Sequence, residues 1–299
     1  MTPISRRGFV ALTAAGVAGV PLLRPASAAT LTAEQIIERI RARTPSGPGG
    51  DTVDTIKAGD PATAVTGIVT TALASMDVLK RAVGARANLV VTCEPTFYSR
   101  ADRPVPPQGG RGGNPAPPDP IVAAKADFIA ANRLVVWRFS DGWRRHAPDP
   151  FVRGLAGALG WTPDASGDPA HIVIPELTLE RLVRRVRDRL DARGGIRVIG
   201  DPRLRLRRVA LLPGTTPIQA ALRAYADADV IIAGEVREWE TVEFARDLSS
   251  AGQKKALVLI GRILSEGPGM DACARWLRTE LPDVRVRSIP AGDPYWRPV

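Results

Sequence analysis

The chain has 299 residues, 44% of them hydrophobic and 24% charged, so it can bury one large core or two modest ones, and disorder throughout is excluded. A formal charge of +10 favours anionic partners such as phosphates, cell-wall polymers or lipid headgroups. Cys93 and Cys273 are the only cysteines, which excludes a disulfide framework and leaves room for at most one bridge.

Residues 1–28 read as a twin-arginine export signal. Ser5-Arg6-Arg7-Gly8-Phe9-Val10 precedes a weakly apolar run to Leu23, and Ala26-Ser27-Ala28 supplies a small-residue cleavage site. Pro21 and Arg24 make that run short for a spanning helix. The expectation is a mature protein in the periplasm or outside the cell, free of the membrane after cleavage. Loss of Arg6, Arg7 and Arg24 lowers its charge from +10 to +7. Export argues against nucleic acid as a partner.

Leu31 to Ala42 has helical spacing, with Thr32 and Gln35 placed as a capping box. A loop follows from Pro45 to Gly50, and Asp60-Pro61 predicts a helix running to about Val83. Leu89-Val90-Val91 reads as a buried strand delivering Cys93 and Glu94 to a turn closed by Pro95. Arg103 to Pro120 is a Pro/Gly-rich loop unable to form a core. Ile121 to Ala131 is helical, Leu134 to Phe139 a strand, and Phe151 to Leu159 a short helix.

Farther along, His171 to Ile174 is a brief strand, and Leu177, Leu182, Val183, Val186 and Leu190 form the buried stripe of an arginine-rich helix. Arg203 to Val209 alternates arginine with apolar residues, an exposed-edge pattern ending at Leu211-Leu212-Pro213-Gly214. Helix, strand and helix then follow at Thr216–Ala226, Asp229–Ala233 and Glu238–Ser249. Ala256–Ile260 is a strand, Gly269–Leu281 a helix, and Val284–Ile289 a last strand before an extended tail. ANLVVTCE, ending at Glu94, and ADVIIAGE, ending at Glu235, share one pattern, which suggests duplicated α/β halves. The organisation expected is α/β, two intertwined similar halves with mixed sheets: residues 29–165, a middle segment 166–204, and residues 205–299.

Polar groups collect at three strand ends: Cys93 with Glu94, Asp141 with Arg144, and Arg262 with Glu266. Cys93-Glu94-Pro95-Thr96-Phe97-Tyr98, then Arg138-Phe139-Ser140-Asp141-Gly142-Trp143-Arg144, then Gly261-Arg262 with Glu266 stand in the order of three motifs of the Nif-three-like dinuclear-metal family. That family is also called GTP cyclohydrolase one type two, and the likeness is to its exported branch. Leu212-Pro213-Gly214, Gly234-Glu235 and Asp293-Pro294-Tyr295-Trp296 extend the resemblance over nearly the whole mature chain.

The resemblance implies a ring-shaped hexamer, two divalent metals (Zn, Mn or Fe) and hydrolysis of a phosphate or nucleotide-like substrate. It places Cys93, Glu94, Asp141 and Glu266 as remaining metal ligands; Phe97, Tyr98 and Trp143 either line the mouth of a pocket or are plain packing. The expected histidines are replaced by Cys93, Ser140, Arg144 and Arg262, and His146 and His171 fall on no motif position. Such centres need imidazole and carboxylate donors converging on the ions. Unit charges 4 Å apart interact by roughly 4 kcal/mol at an effective dielectric near 20, and a divalent ion doubles that. If Arg144 and Arg262 point inward, their guanidinium groups take the space of the metals and neutralise Glu94 and Glu266. The site is then a degenerate one that either retains a metal or grips a small anion with the two arginines.

Overall fold

The computed structural model describes residues 31–47, 51–99, 102, 119–162, 168, 170–192 and 195–296. Residues 1–28 and most of the loop read from 103 to 120 lie outside this set. The described residues form two five-stranded mixed sheets.

In the first sheet, β1 (Ile56–Ala58) pairs antiparallel with β4 (Val135–Arg138), which continues in parallel through β3 (Leu89–Thr92) and β2 (Ile68–Thr71) to β10 (Val286–Ser288). In the second, β7 (Arg205–Thr215), β8 (Val230–Glu235) and β9 (Ala256–Leu259) run parallel. Antiparallel β5 (His171–Thr178) lies outside β7, and β6 (Arg197–Ile199) outside β9. The central parallel strands are apolar or β-branched along their length because both faces are covered.

The covering helices are α1 (Ala33–Arg41), α2 (Met76–Gly84), α3 (Pro120–Ala131), α4 (Asp141–Arg144), α5 (Pro150–Ala158), α6 (Leu179–Arg189), α7 (Ile218–Asp227), α8 (Glu243–Ser250) and α9 (Arg262–Glu280). Alternation along β3 sends Val91 into a cluster with Ile36, Trp137 and Leu277, and Val90 into one with Leu79, Ile129 and Val136. Each fully buried side chain of this kind contributes about 1.5–3 kcal/mol of transfer free energy. The capping box of α1 forms as expected, Gln35 N donating to Thr32 Oγ1 and Thr32 N to Gln35 Oε1.

Several boundaries differ from the sequence reading. The long helix from Asp60 does not form. Asp60 Oδ1 instead accepts from Ala62 N in a turn, Ile68–Thr71 is the interior strand β2, and α2 starts at Met76 under a Ser75 cap. The β-branched run Ile68-Val69-Thr70-Thr71 suits a pleated strand, and burial on both faces outweighs the helix-start signal. β7 is an interior strand, because β5 covers the side that its arginines suggested was open. Leu177 belongs to β5, and α9 begins seven residues earlier than Gly269, carrying Pro268 within it. The stretch read as a middle segment supplies both edges of the second sheet, β5 and β6.

α9 ties the two layers together. It leaves the end of β9, passes β7 and β8 of the second sheet, and packs along β2 and β10 of the first. Its first turns therefore stand where the carboxyl ends of β3 and β8 approach one another.

Candidate functional site: a carboxylate–guanidinium centre

Glu94 is held by the turn that ends β3. Its N–H donates to Ala72 O at 3.0 Å, and the neighbouring Cys93 thiol donates to the same carbonyl at 3.4 Å. Beyond Pro95, Asp102 Oδ1 accepts from Thr96 N at 2.5 Å and Phe97 N at 2.8 Å, while the buried Lys125 of α3 donates to Thr96 O at 2.6 Å. Burial lowers the Lys125 amine from its ordinary 10.5 to about 8, against the opposing pull of Asp102. Sequence reasoning missed Lys125, although it is the one charged residue in the apolar run IVAAKADFIAA that ends up facing inward.

Arg144 comes from α4. The amide groups that open this short helix, Ser140 N, Asp141 N and Gly142 N, donate to the carboxylate of buried Asp54 at 2.7, 3.0 and 2.7 Å, a partner sequence reasoning did not single out. So fixed, the Arg144 guanidinium lies 4.2 Å over the Phe151 ring and donates to Glu266 Oε1 at 2.8 Å and Asp149 Oδ2 at 3.4 Å. Arg262 and Glu266 stand one turn apart at the start of α9. Arg262 pairs closely with Glu94, with its Nε 3.6 Å from Glu266 Oε2 and a third carboxylate, Glu235 Oε2, at 3.8 Å.

The centre is crowded from above. At Gly214 (φ +83°) a Cβ would stand 2.7 Å from Glu266 Oε1 and 3.1 Å from Arg144. Ser265 Oγ, which accepts from Gly214 N at 3.0 Å, would lie 2.4 Å from a Cβ at Gly234. Glycine is required at both places for the strand ends to approach the pair of carboxylates.

Electrostatics follows from this crowding. Glu94 and Glu266 are 6% and 1% exposed, whereas both arginine side chains are 35% exposed. Burial, and then the neighbouring Glu94 charge, push the Glu266 carboxyl up to about 8 against Arg144 and Arg262. Burial pushes the Cys93 thiol well above its usual range, helped by Glu266 and Glu94. For Arg262, burial opposes the charge, but Glu94, Glu266 and Glu235 outweigh it and raise its pKa.

Cys93, Glu94 and Glu266 each offer one ligand atom, all within 4.8 Å of one another, so this group could hold a metal ion. Glu266 Oε2 is buried with no hydrogen-bond partner, as a ligand atom would be. Among the described residues this is the one such group of three donors. Among the described residues the histidines lie elsewhere: His146 sits between the Trp143 and Trp276 rings with Nδ1 3.1 Å from Trp143 O, and His171 pairs with Asp168 at 3.0 Å. Two guanidinium groups stand beside the carboxylates, Arg144 2.8 Å from Glu266 Oε1 and Arg262 paired with Glu94.

Not every residue singled out from the sequence comes to the centre. Asp141 is spent elsewhere, accepting from Thr52 Oγ1 at 3.0 Å and Val53 N at 3.1 Å to hold the loop before β1. Phe97 and Trp143 are core residues instead of pocket lining, with Trp143 Nε1 donating to Gly269 O at 3.1 Å. Tyr98 is exposed, its ring 5.0 Å from Lys125 Nζ. Cys93 and Cys273 are both buried and unbridged.

Comparison with known proteins bears on the same geometry. Residues 170–294 match the family model DUF34/NIF3 (NGG1p interacting factor 3). Hypothetical protein SA1388 of Staphylococcus aureus superimposes with a TM-score of 0.66 at 14% identity, over 89% of this chain and 99% of that one. A Bacillus cereus protein related to NIF3 gives 0.65 at 13%, over 90% and 99%. Reduced HcgD from Methanocaldococcus jannaschii gives 0.58 at 16%, over 86% and 97%. No curated protein matches the chain. These likenesses establish the α/β fold with its two mixed sheets.

Proposed function

We propose that this chain is a member of the DUF34/NIF3 family in which two arginines stand in place of a dinuclear metal centre, and that it binds a small anion instead of performing metal-dependent hydrolysis. The observation carrying this reading is the crossed pairing of Arg262 with Glu94 and Arg144 with Glu266. Buried carboxylates need compensation, and here each receives it from a guanidinium contributed by another part of the fold. A guanidinium has five N–H donors, more than these pairs consume, and a planar fork matched to phosphate or carboxylate.

A second reading, a single divalent ion on Cys93, Glu94 and Glu266, is favoured by the convergence of their three ligand atoms. It requires the thiol to ionise and both guanidinium groups to leave, and any hydrolysis of a phosphate ester would depend on it. Elemental mass spectrometry after dialysis against zinc and manganese separates the readings. No bound metal, with thermal stabilisation by phosphate or sulfate, is the expected result; one ion per chain lost in Cys93→Ala would support the second reading, and two ions would overturn the first. Export by the twin-arginine route and assembly as a hexamer belong to the same proposal. A fractionation assay and the solution mass of the processed protein test them.

A further inference from the structure

A cavity of about 340 Å³ opens where the parallel strands β2 and β10 end, walled by α9 and by the end of α6. Among the described residues its lining includes none of the four charged groups of the ion-paired centre. Its size suits a small ligand, and the crevice beyond the carboxyl ends of parallel strands is where open α/β sheets seat one. Most of the lining is apolar. Ala72 and Ile289 continue β2 and β10 past their last strand residues, Leu264 and Met270 come from α9, and Ala72, Met270 and Ile289 are buried.

Charges of both signs stand among these apolar groups. Arg189 is exposed, and among the described residues no carboxylate pairs with it, whereas on the same helix Arg184 pairs with Glu180 and Arg187 with Asp188. Its guanidinium also approaches that of Arg185, since a Cβ at Gly160 would lie 3.5 Å from Arg189 Cζ and 3.2 Å from Arg185 Nη2. Like charges four residues apart repel. Arg185 is engaged by Leu159 O at 3.1 Å, which leaves Arg189 as the cation in want of an anion. The opposite charge comes from α9. Asp271 is exposed there, with its Oδ1 oriented by the hydroxyl of Ser288, and Asp191, which also lines the cavity, is engaged elsewhere. Pro268 has no N–H to donate to Leu264 O one turn before it, so that carbonyl is a second acceptor at the cavity.

A simple organic anion would meet Asp271, and a simple amine would meet Arg189; a molecule carrying both charges answers both. We propose that this cavity binds a small zwitterion with an apolar side chain, an α-amino acid or a dipeptide. The carboxylate pairs with Arg189, the ammonium with Asp271 and Leu264 O, and the side chain lies over Ala72, Met270 and Ile289. What occupies the ion-paired centre does not enter this assignment.

Calorimetric titration of the whole chain tests it, with L-phenylalanine and L-leucyl-L-leucine as the free and peptide sources of the same chemistry. N-acetyl-L-phenylalanine lacks the ammonium and phenethylamine lacks the carboxylate. The expected result is binding of at least one zwitterion, the tighter one assigning the source, with each single-charge analogue weaker by about fivefold or more. Arg189→Gln should weaken the zwitterion by a similar factor and leave phenethylamine unchanged; Asp271→Asn should weaken it likewise and leave N-acetyl-L-phenylalanine unchanged. Both side chains are exposed, and the thermal midpoints of the variants check that they fold; if one does not, the analogue series on the parent chain decides. Absence of binding by both zwitterions, an analogue that binds as tightly as they do, or an unchanged zwitterion affinity in either folded variant overturns the proposal.

Discussion

Glu94 and Glu235 end the same eight-residue pattern on equivalent strands, β3 and β8, yet they live in different surroundings. Glu94 is buried, its turn pinned by Asp102 and Lys125 and its carboxylate closed by Arg262. Glu235 stands at the rim of a cavity, 3.8 Å from the same arginine and more than half exposed. Local sequence builds the strand; what packs over its end decides whether the terminal charge becomes structure or surface.

The largest break in that comparison is Arg262→Ala. It strands the buried Glu94 carboxylate, and urea titration should show a loss of about 3–5 kcal/mol. Replacing both partners, Glu94→Leu with Arg262→Met, should recover most of it. Gly214→Ala should cost about 2–3 kcal/mol, since the new methyl meets the Glu266 carboxylate in a positive-φ conformation. Gly252→Ala shares the positive φ but meets open space, so thermal denaturation of the pair measures the contact separately from the backbone.

Lys125→Met sharpens the other side of the Glu94 turn. Folded Lys125 titrates near 8 and the unfolded residue near 10.5, so between these values the unfolded chain holds the proton that the folded chain has released. Stability contributed by this group is therefore flat below pH 8 and rises towards pH 10.5, by up to about 3 kcal/mol. In Lys125→Met that rise should vanish from a series of denaturation midpoints measured against pH. The smallest effect belongs to Glu235→Ala, expected within about 1 kcal/mol because its pairing is exposed and screened.

Much of this architecture was legible beforehand. The apolar runs at β3, β8 and β9 read as strands, and the motif order brought Glu94, Arg144, Arg262 and Glu266 together on paper as they meet in space. Other features depend on tertiary context. β2 carries a helix-start signal upstream and becomes a strand only because neighbours cover both its faces. Asp141 stands next to the true partner of its own amide, Asp54, some ninety residues away in sequence, and no spacing rule links the two. Phe97 and Trp143 read from the sequence either as a pocket mouth or as packing, because apolar side chains near polar motifs look alike in both roles; both fill the core.

The course of the last elements bears on how the chain is made. β10 adds to the first sheet beside β2, pairing Val286 with Ile68, although both earlier neighbours of that sheet, β3 and β4, precede it by more than a hundred residues. Until the final stretch is synthesised, β2 has a bare hydrogen-bonding edge and the face later covered by α9 is open. Such a nascent intermediate invites pairing with other chains, and ring closure over so long a span is slow. A stop codon between α9 and β10 would therefore damage the oldest sheet of the polypeptide while leaving the second sheet whole.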